Sequence, residues 1–443
     1  MTATAGAGGD GVAVPATTVP TGEGLAARRA LRNARARGVA FIGFALLAFF
    51  YASRSFDITA QFSFLINETG AGSAAIRTSV GVVWVVAGLV AALVGALQLM
   101  RGAAFRWRPW LLVLLLPWIA AILAALLAGK TANLTGVISG SLELAAPIGM
   151  GAMAGILSER SGMFNIALEG KMLVGACVAA LTSSVVMLWF GNAIIAILAG
   201  VGIAMLVGGL VGLLLAWLGI RHKVDQIIAG TVINIGATGI TNFLFLRVLS
   251  RNGELNNPAT VGELPIPLLS EIPFLGPMFF SARPYVYIGY ILVVVLTYML
   301  FRTRWGLRLR AAGEKPAAAG TVGINVLAIR YQALFLAGVI AGFAGSYLSL
   351  ATSGSFQMDQ TAGKGFIALA AVIFGAWHPI GAFFAALVFG FADAAQTLLS
   401  VLGVQVPPQI LNSLPYVITI VVVAGVVGRV RGPAAAGQPY EQG

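Results

Sequence analysis

Apolar runs close to twenty residues long recur along this 443-residue chain, and they narrow its possible folds more sharply than any other feature. They fall at 39–52, 80–100, 110–128, 134–157, 164–190, 193–220, 224–248, 285–301, 331–350, 366–377, 380–402 and 410–427. About twenty helical residues cross the hydrocarbon core of a bilayer at about 1.5 Å per residue. Lipid offers the backbone no partners, so such a run must close its own hydrogen bonds as a helix. The expectation is an all-α polytopic membrane protein with about 11–12 transmembrane helices. The run 366–377 is short, and reads either as a full span or as half of a re-entrant pair turning at His378-Pro379. With 59% apolar and only 9% charged residues, a soluble globular class is excluded. The single cysteine, Cys177, sits in an apolar run, which leaves no disulfide framework and no cysteine metal site.

Charge placement sets the expected orientation. Arginines 28, 29, 32, 35 and 37 precede the first run, which reads as an uncleaved span with an inside N-terminus. Following the runs in order puts 19 of the 27 lysines and arginines on the inner side and seven on the outer, with Lys171 left within a span. That is the positive-inside bias, with both termini cytoplasmic. The net charge of +12 then reflects attraction to an anionic inner leaflet, not binding to nucleic acid.

Between the runs 134–157 and 164–190 lies Ser158-Glu159-Arg160-Ser161-Gly162-Met163-Phe164-Asn165-Ile166-Ala167-Leu168-Glu169-Gly170-Lys171. A charge at membrane depth costs about 2.5–3.5 kcal/mol, so it faces protein or water rather than lipid. Glu159 and Arg160 also suit a short cytoplasmic loop, but Glu169 and Lys171 abut the next apolar run and point to a broken helix on a solute path. The stretch beginning Gly170-Lys171-Met172 is echoed at Gly363-Lys364-Gly365. On the assigned topology the two enter from opposite sides, the pattern of an inverted repeat.

Four regions follow. Residues 1–37 read as a disordered basic tail, and 38–133 hold about three N-terminal spans. Residues 134–430 form the main transmembrane region, and 431–443 a C-terminal tail. Within the third, residues 249–284 are rich in proline and read as an external cap. Residues 302–324 form a basic cytoplasmic loop with one short helix after Pro316, shaped to dock on something in the cytoplasm.

The segment 159–170 resembles the signature of permease subunits of nucleoside ABC importers, within the wider ribose, simple-sugar and branched-chain-amino-acid permease group. Further similarity lies in Val224-Asp225-Gln226 with Gly230 and Asn234, and in Ile272-Pro273-Phe274-Leu275-Gly276. It continues in Gly306-Leu307-Arg308-Leu309-Arg310 with Gly313, Glu314, Pro316, Ala318 and Gly323, and in Gly365-Phe366-Ile367-Ala368-Leu369-Ala370 with Phe374, Gly375, Trp377, His378, Pro379 and Gly381. The resemblance implies an inverted-repeat ABC permease core over 134–430, multi-pass in the cell (plasma or inner) membrane of a prokaryote. It also implies partners: a second permease subunit in a heterodimer, two cytoplasmic ATP-binding subunits and an extracytoplasmic substrate-binding lipoprotein. Residues 302–324 would be the ATPase coupling loop, carried by Arg308, Arg310, Gly313, Glu314, Ala318, Gly320 and Gly323. The N-terminal spans have no counterpart in shorter members of the group.

No catalytic set, metal site or cofactor site is expected. His222 and His378 are far apart, and Gly129-Lys130-Thr131 lacks the preceding strand and the first glycine of a phosphate loop. A nucleoside offers a flat base and a hydroxylated ribose, so Asn165, Glu169, Lys171, Asn234, Asp359 and Lys364 are the pathway candidates. Competing readings are a permease for a simple sugar such as ribose or galactose, and an ion-coupled secondary transporter. A membrane-embedded enzyme lacks any nucleophile and base to support it.

Overall fold

The computed structural model describes residues 22–65, 73–105, 110–403, 407, 409–410, 413, 432–438 and 440. Contacts divide the chain into two compact units, Met1–Ile58 with Ser79–Ala125, and Thr59–Thr78 with Leu126–Gly443. In the first, α1 (Gly22–Ser53) runs antiparallel to α2 (Val80–Arg101). Gly38 packs on Leu99, Gly88 on Phe49 and Gly81 on Phe56. From α3 (Trp110–Leu126), Trp118 stands edge-on to Phe44 and Trp84, at 5.2 and 5.3 Å between ring centroids. The disordered tail expected over 1–37 is corrected for 22–37, which are the first turns of α1. Alanine, leucine and arginine are strong helix formers, so the helix starts well before the apolar run.

The second unit opens on a small sheet, with β1 (Thr59–Leu65) between β2 (Ser73–Ser79) and β3 (Thr131–Asn133). β1 and β3 are parallel, with Gln61 opposite Thr131. These few strands are a minor addition to the helical fold. The helices follow as α4 (Leu134–Arg160), α5 (Leu168–Phe190), α6 (Ala193–Ala216) and α7 (Gln226–Leu244). Residues 249–284 contain β4 (Leu264–Pro265), antiparallel to β5 (Ser281–Ala282). Next come α8 (Pro284–Arg302), α9 (Arg304–Glu314), α10 (Pro316–Thr321), α11 (Val326–Tyr347), α12 (Lys364–Phe374) and α13 (Pro379–Val401). Where one short helix was expected after residue 302 there are two. The extra one, α9, is amphipathic, burying Gly306, Leu309, Ala312 and Gly313 at helical spacing.

Among the described residues, nine helices are long and apolar enough to cross a bilayer, and two shorter apolar ones accompany them. The chain is a multi-pass membrane protein. The expected last span, 410–427, lies outside the described residues apart from 410 and 413. At 11 residues α12 is only about 16 Å long, too short to cross alone, whereas the 23 residues of α13 suffice.

The core gathers around α4 and α11. Small residues let main chains touch: a Cβ on Gly208 of α6 would lie 2.4 Å from the carbonyl oxygen of Gly338 of α11. α12 runs parallel to α4, with Ala368 against Gly151 and Val372 against Gly155. Pro147 stands halfway along α4. Pro147 has no N–H, so the carbonyl of Glu143 loses its helical donor. The hydroxyl of Tyr347 on α11 donates to it instead, at 3.0 Å.

Candidate functional site

The residues 161–167 between α4 and α5 leave backbone donors at the start of α5 unpaired by helix geometry. Side chains of α7 answer them. Asn234 accepts from the N–H of Gly170 at 2.8 Å and donates to the carbonyl of Ile166 at 3.0 Å. Gln226 accepts from the N–H of Phe164 at 2.6 Å. Lys171, 0% exposed, donates to Asn165 Oδ1 at 2.7 Å, and Asn165 Nδ2 has no partner among the described residues. The amides thus hold the irregular segment 161–167 in place, and among the described residues no carboxylate pairs with the lysine.

Glu169, in the first turn of α5, reaches across to the start of α12. One carboxylate oxygen accepts from Thr361 Oγ1 at 2.5 Å and from the N–H of Gly363 at 2.8 Å; the other accepts from the N–H of Gly365 at 2.6 Å. An anion at a helix N-terminus meets the unpaired N–H groups and the positive end of the dipole together. The turn it grips is strained, with Asp359 and Ala362 at φ 51° and 46° and Gly363 at 81°. The two segments that echo each other in sequence therefore meet through one carboxylate.

Four of the six pathway candidates, Asn165, Glu169, Lys171 and Asn234, belong to this cluster. Lys364 starts α12 and is half-buried, but its amine makes no hydrogen bond among the described residues. Asp359 is exposed on the strained turn, and its carboxylate likewise accepts none.

At the other end of α12 the chain turns back through Ala376 and Trp377, both at φ 54°. Glu159, 2% exposed, accepts from Trp377 Nε1 at 2.5 Å, and Arg160 Nε donates to the Trp377 carbonyl at 3.1 Å. The loop reading of Glu159 and Arg160 is thereby corrected, since both grip the turn between α12 and α13. His378 stacks on Phe301, centroids 4.8 Å apart, while Arg310 and Arg160 lie 5.1 and 5.8 Å from the same ring. Burial, then the nearby Arg160 cation, holds the His378 imidazole below the ordinary histidine range.

The coupling-loop candidates of 302–324, an elbow built from α9 and α10, sit beside this turn. Gly313 packs on the Arg160 carbonyl, where a Cβ would lie 2.2 Å away, so no side chain fits. Arg308, Glu314, Ala318 and Gly323 are exposed, and Gly323 is left-handed at φ 81°. Ala311, Lys315, Ala318 and Val322 line a concavity of about 380 Å³, and Gly320 borders Tyr440. A second polar group lies further back along α4, where Glu143 pairs with Arg283. Next to it, the Tyr285 hydroxyl is 2.9 Å from Ser346 Oγ.

Thr361 and Arg330 were not singled out from sequence. Arg330, one of the 19 basic residues that the span count puts on the inner side, is 1% exposed within α11. Asn325 caps that helix by accepting from Ala328 N at 2.9 Å, and an Asn five residues upstream was the signal that Arg330 is helical. Thr361 carried no such signal.

Residues 137–427 match the family described as "Branched-chain amino acid transport system / permease component". The chain belongs to this family. Among its relatives is the guanosine ABC transporter permease protein NupQ of Bacillus subtilis, 38% identical over 315 residues, covering 69% of this chain and 97% of NupQ. The nucleoside ABC transporter permease protein NupC of Lactococcus lactis is 37% identical over 313 residues, 69% of this chain and 96% of NupC. A putative glucose ABC transporter permease protein of Haloferax volcanii, TsgC13, is 31% identical over 339 residues, 69% of this chain and 98% of that protein. No solved structure matches. The family match takes in α4–α13 and begins after the three helices of the first unit. Glu159, Glu169, Trp377 and the elbow all fall inside the residues that the family matches.

Proposed function

We propose that this permease subunit takes up nucleosides by alternating access, driven by separate ATPase subunits. The observation that carries the reading is its 38% identity, across nearly the whole of NupQ, to a permease for guanosine. The glucose permease relative is less similar and favours the sugar alternative to a smaller degree.

In this reading the α9–α10 elbow lies in the cytoplasm and receives the ATPase, residues 249–284 face outward, and both termini are cytoplasmic. A second permease completes the pathway, and an external binding lipoprotein delivers the substrate. The membrane is the cell membrane of a prokaryote. Asn165, Glu169, Lys171, Asn234, Asp359 and Lys364 border the route. Glu169 acts as a latch: the elbow shifts the signature segment, which draws the start of α12 with it.

The test is ATP hydrolysis by the reconstituted complex with guanosine, adenosine, ribose, galactose and leucine. Stimulation by nucleosides alone is the expected result, and stimulation by a sugar or leucine instead would sink the reading. The variant Glu314→Arg with Gly323→Trp should reach the membrane yet hydrolyse ATP without uptake, because Trp is strained at the left-handed position.

A further inference from the structure

Residues 432–438 are glycine, proline, alanine and glutamine, a composition with no reason of its own to be ordered. The structure nevertheless seats them against three elements. The N–H of Ala435 donates to the carbonyl of Gly313 at 2.9 Å, at the end of α9. The N–H of Gly437 donates to the carbonyl of Gly162 at 3.2 Å, in the signature turn. The carbonyl of Gln438 accepts from Arg330 Nη1 at 3.2 Å, at the start of α11. Tyr440 completes the contact, with its ring 6.0 Å from the Arg330 guanidinium and its hydroxyl against Gly320 of α10. A turn of its own shapes the segment: Ala436 N–H donates to Pro433 at 3.1 Å, and Gly437 is left-handed at φ 81°.

We propose that residues 432–438, with Tyr440, are a clasp that makes the α9–α10 elbow and the signature turn move as one body. The clasp supplies donors where the fold lacks them, since the Gly313 carbonyl is among the last four of α9 and has no intrahelical partner. It also closes over Arg330, whose Nε donates to the Ser161 carbonyl at 3.2 Å and whose Nη2 has no partner among the described residues. A buried guanidinium held by two carbonyls and the Tyr440 ring is costly to uncover, so the segment and the arginine stabilise one another. Gly162 is the joint, left-handed at φ 87°, where a Cβ would lie 2.8 Å from Arg330 Nη2 and 3.3 Å from both the Ala435 carbonyl and Gly313. Without the segment, elbow and turn would keep the packing of Gly313 on Arg160 and Gly162 and the attraction between Glu314 and Arg160, and part of a push on the elbow would be spent on bending those contacts.

This inference rests on the reading of the elbow as the site that the ATPase drives. The experiment compares the full chain with one ending at Gly432, each in the complete transporter, by ATP hydrolysed per nucleoside taken up. The ratio should rise about tenfold with the ATPase subunits still bound, a coupling loss of the size that one contact network carries. An unchanged ratio overturns the clasp, and so does loss of the ATPase subunits, which would make the segment a docking surface.

A second arm keeps the segment in place. In a Cys177→Ala chain, Ala311→Cys and Ala434→Cys, which line the same concavity, are bridged by a short thiol-reactive linker. Bridging in native membranes is expected, and failure to bridge overturns the clasp. If the unaltered complex moves no nucleoside, the transport reading fails by itself, and the bridging yield still judges the clasp.

Discussion

Glu143 and Glu169 are both acids inside the helix bundle, and they are neutralised in different ways. Glu143 pairs with one arginine side chain, Arg283, at the start of α8. Glu169 binds a hydroxyl and two backbone N–H groups at the start of α12. The first arrangement joins two side chains, either of which can turn away on its own bonds. The second joins a side chain to main chain, so α12 cannot withdraw without carrying Glu169 or stripping it. In the proposed reading Glu143–Arg283 is therefore a brace, and Glu169 the point at which movement is passed on.

Truncating the Glu169 carboxylate separates the two most strongly. Glu169→Ala leaves the N–H groups of Gly363 and Gly365 unmet, and uptake by the complex should fall about a hundredfold. Glu169→Gln keeps an acceptor but loses the charge, and a fall of about tenfold is expected. Equal activity of all three proteins in a transport assay would remove the distinction. Glu143→Gln should lower uptake about threefold and thermal stability more visibly, and Arg283→Gln added to it should cost little more, because the pair acts as a unit. Additive losses would contradict the brace. Trp377→Phe removes the donor to Glu159 while keeping a ring, and about a twofold loss is expected.

The smallest effect concerns His378. Its folded-state pKa is held below the ordinary histidine value, so the fold favours the neutral ring. That contribution is complete above the unfolded pKa of about 6.5 and is lost as the pH falls through the folded value. Melting profiles from pH 7.5 to 5 should show the loss in the parent protein and a shallower one in His378→Gln.

The spans were legible because hydrophobic length alone sets them, and Glu169 and Lys171 stood out because their charge conflicts with their surroundings. The partners of those charges were not legible. Thr361 lies 192 residues from Glu169, and nothing local marks a threonine as the donor to a distant carboxylate. Arg330 misled for a related reason: positive-inside counting treats every arginine near a span end as solvated, and this one is enclosed by carbonyls of the signature turn and the C-terminal segment. The helical start of the chain from residue 22 was missed because the first run was bounded by hydropathy, whereas propensity carries α1 through the arginines.

Tyr347 lends α4 the donor that Pro147 withholds. The loan fixes how far one helix can slip along its neighbour. A shift of one residue would leave the Glu143 carbonyl without that donor, at a cost of about 1–3 kcal/mol. Sliding is thus penalised at that level, and rocking about the contact is penalised less.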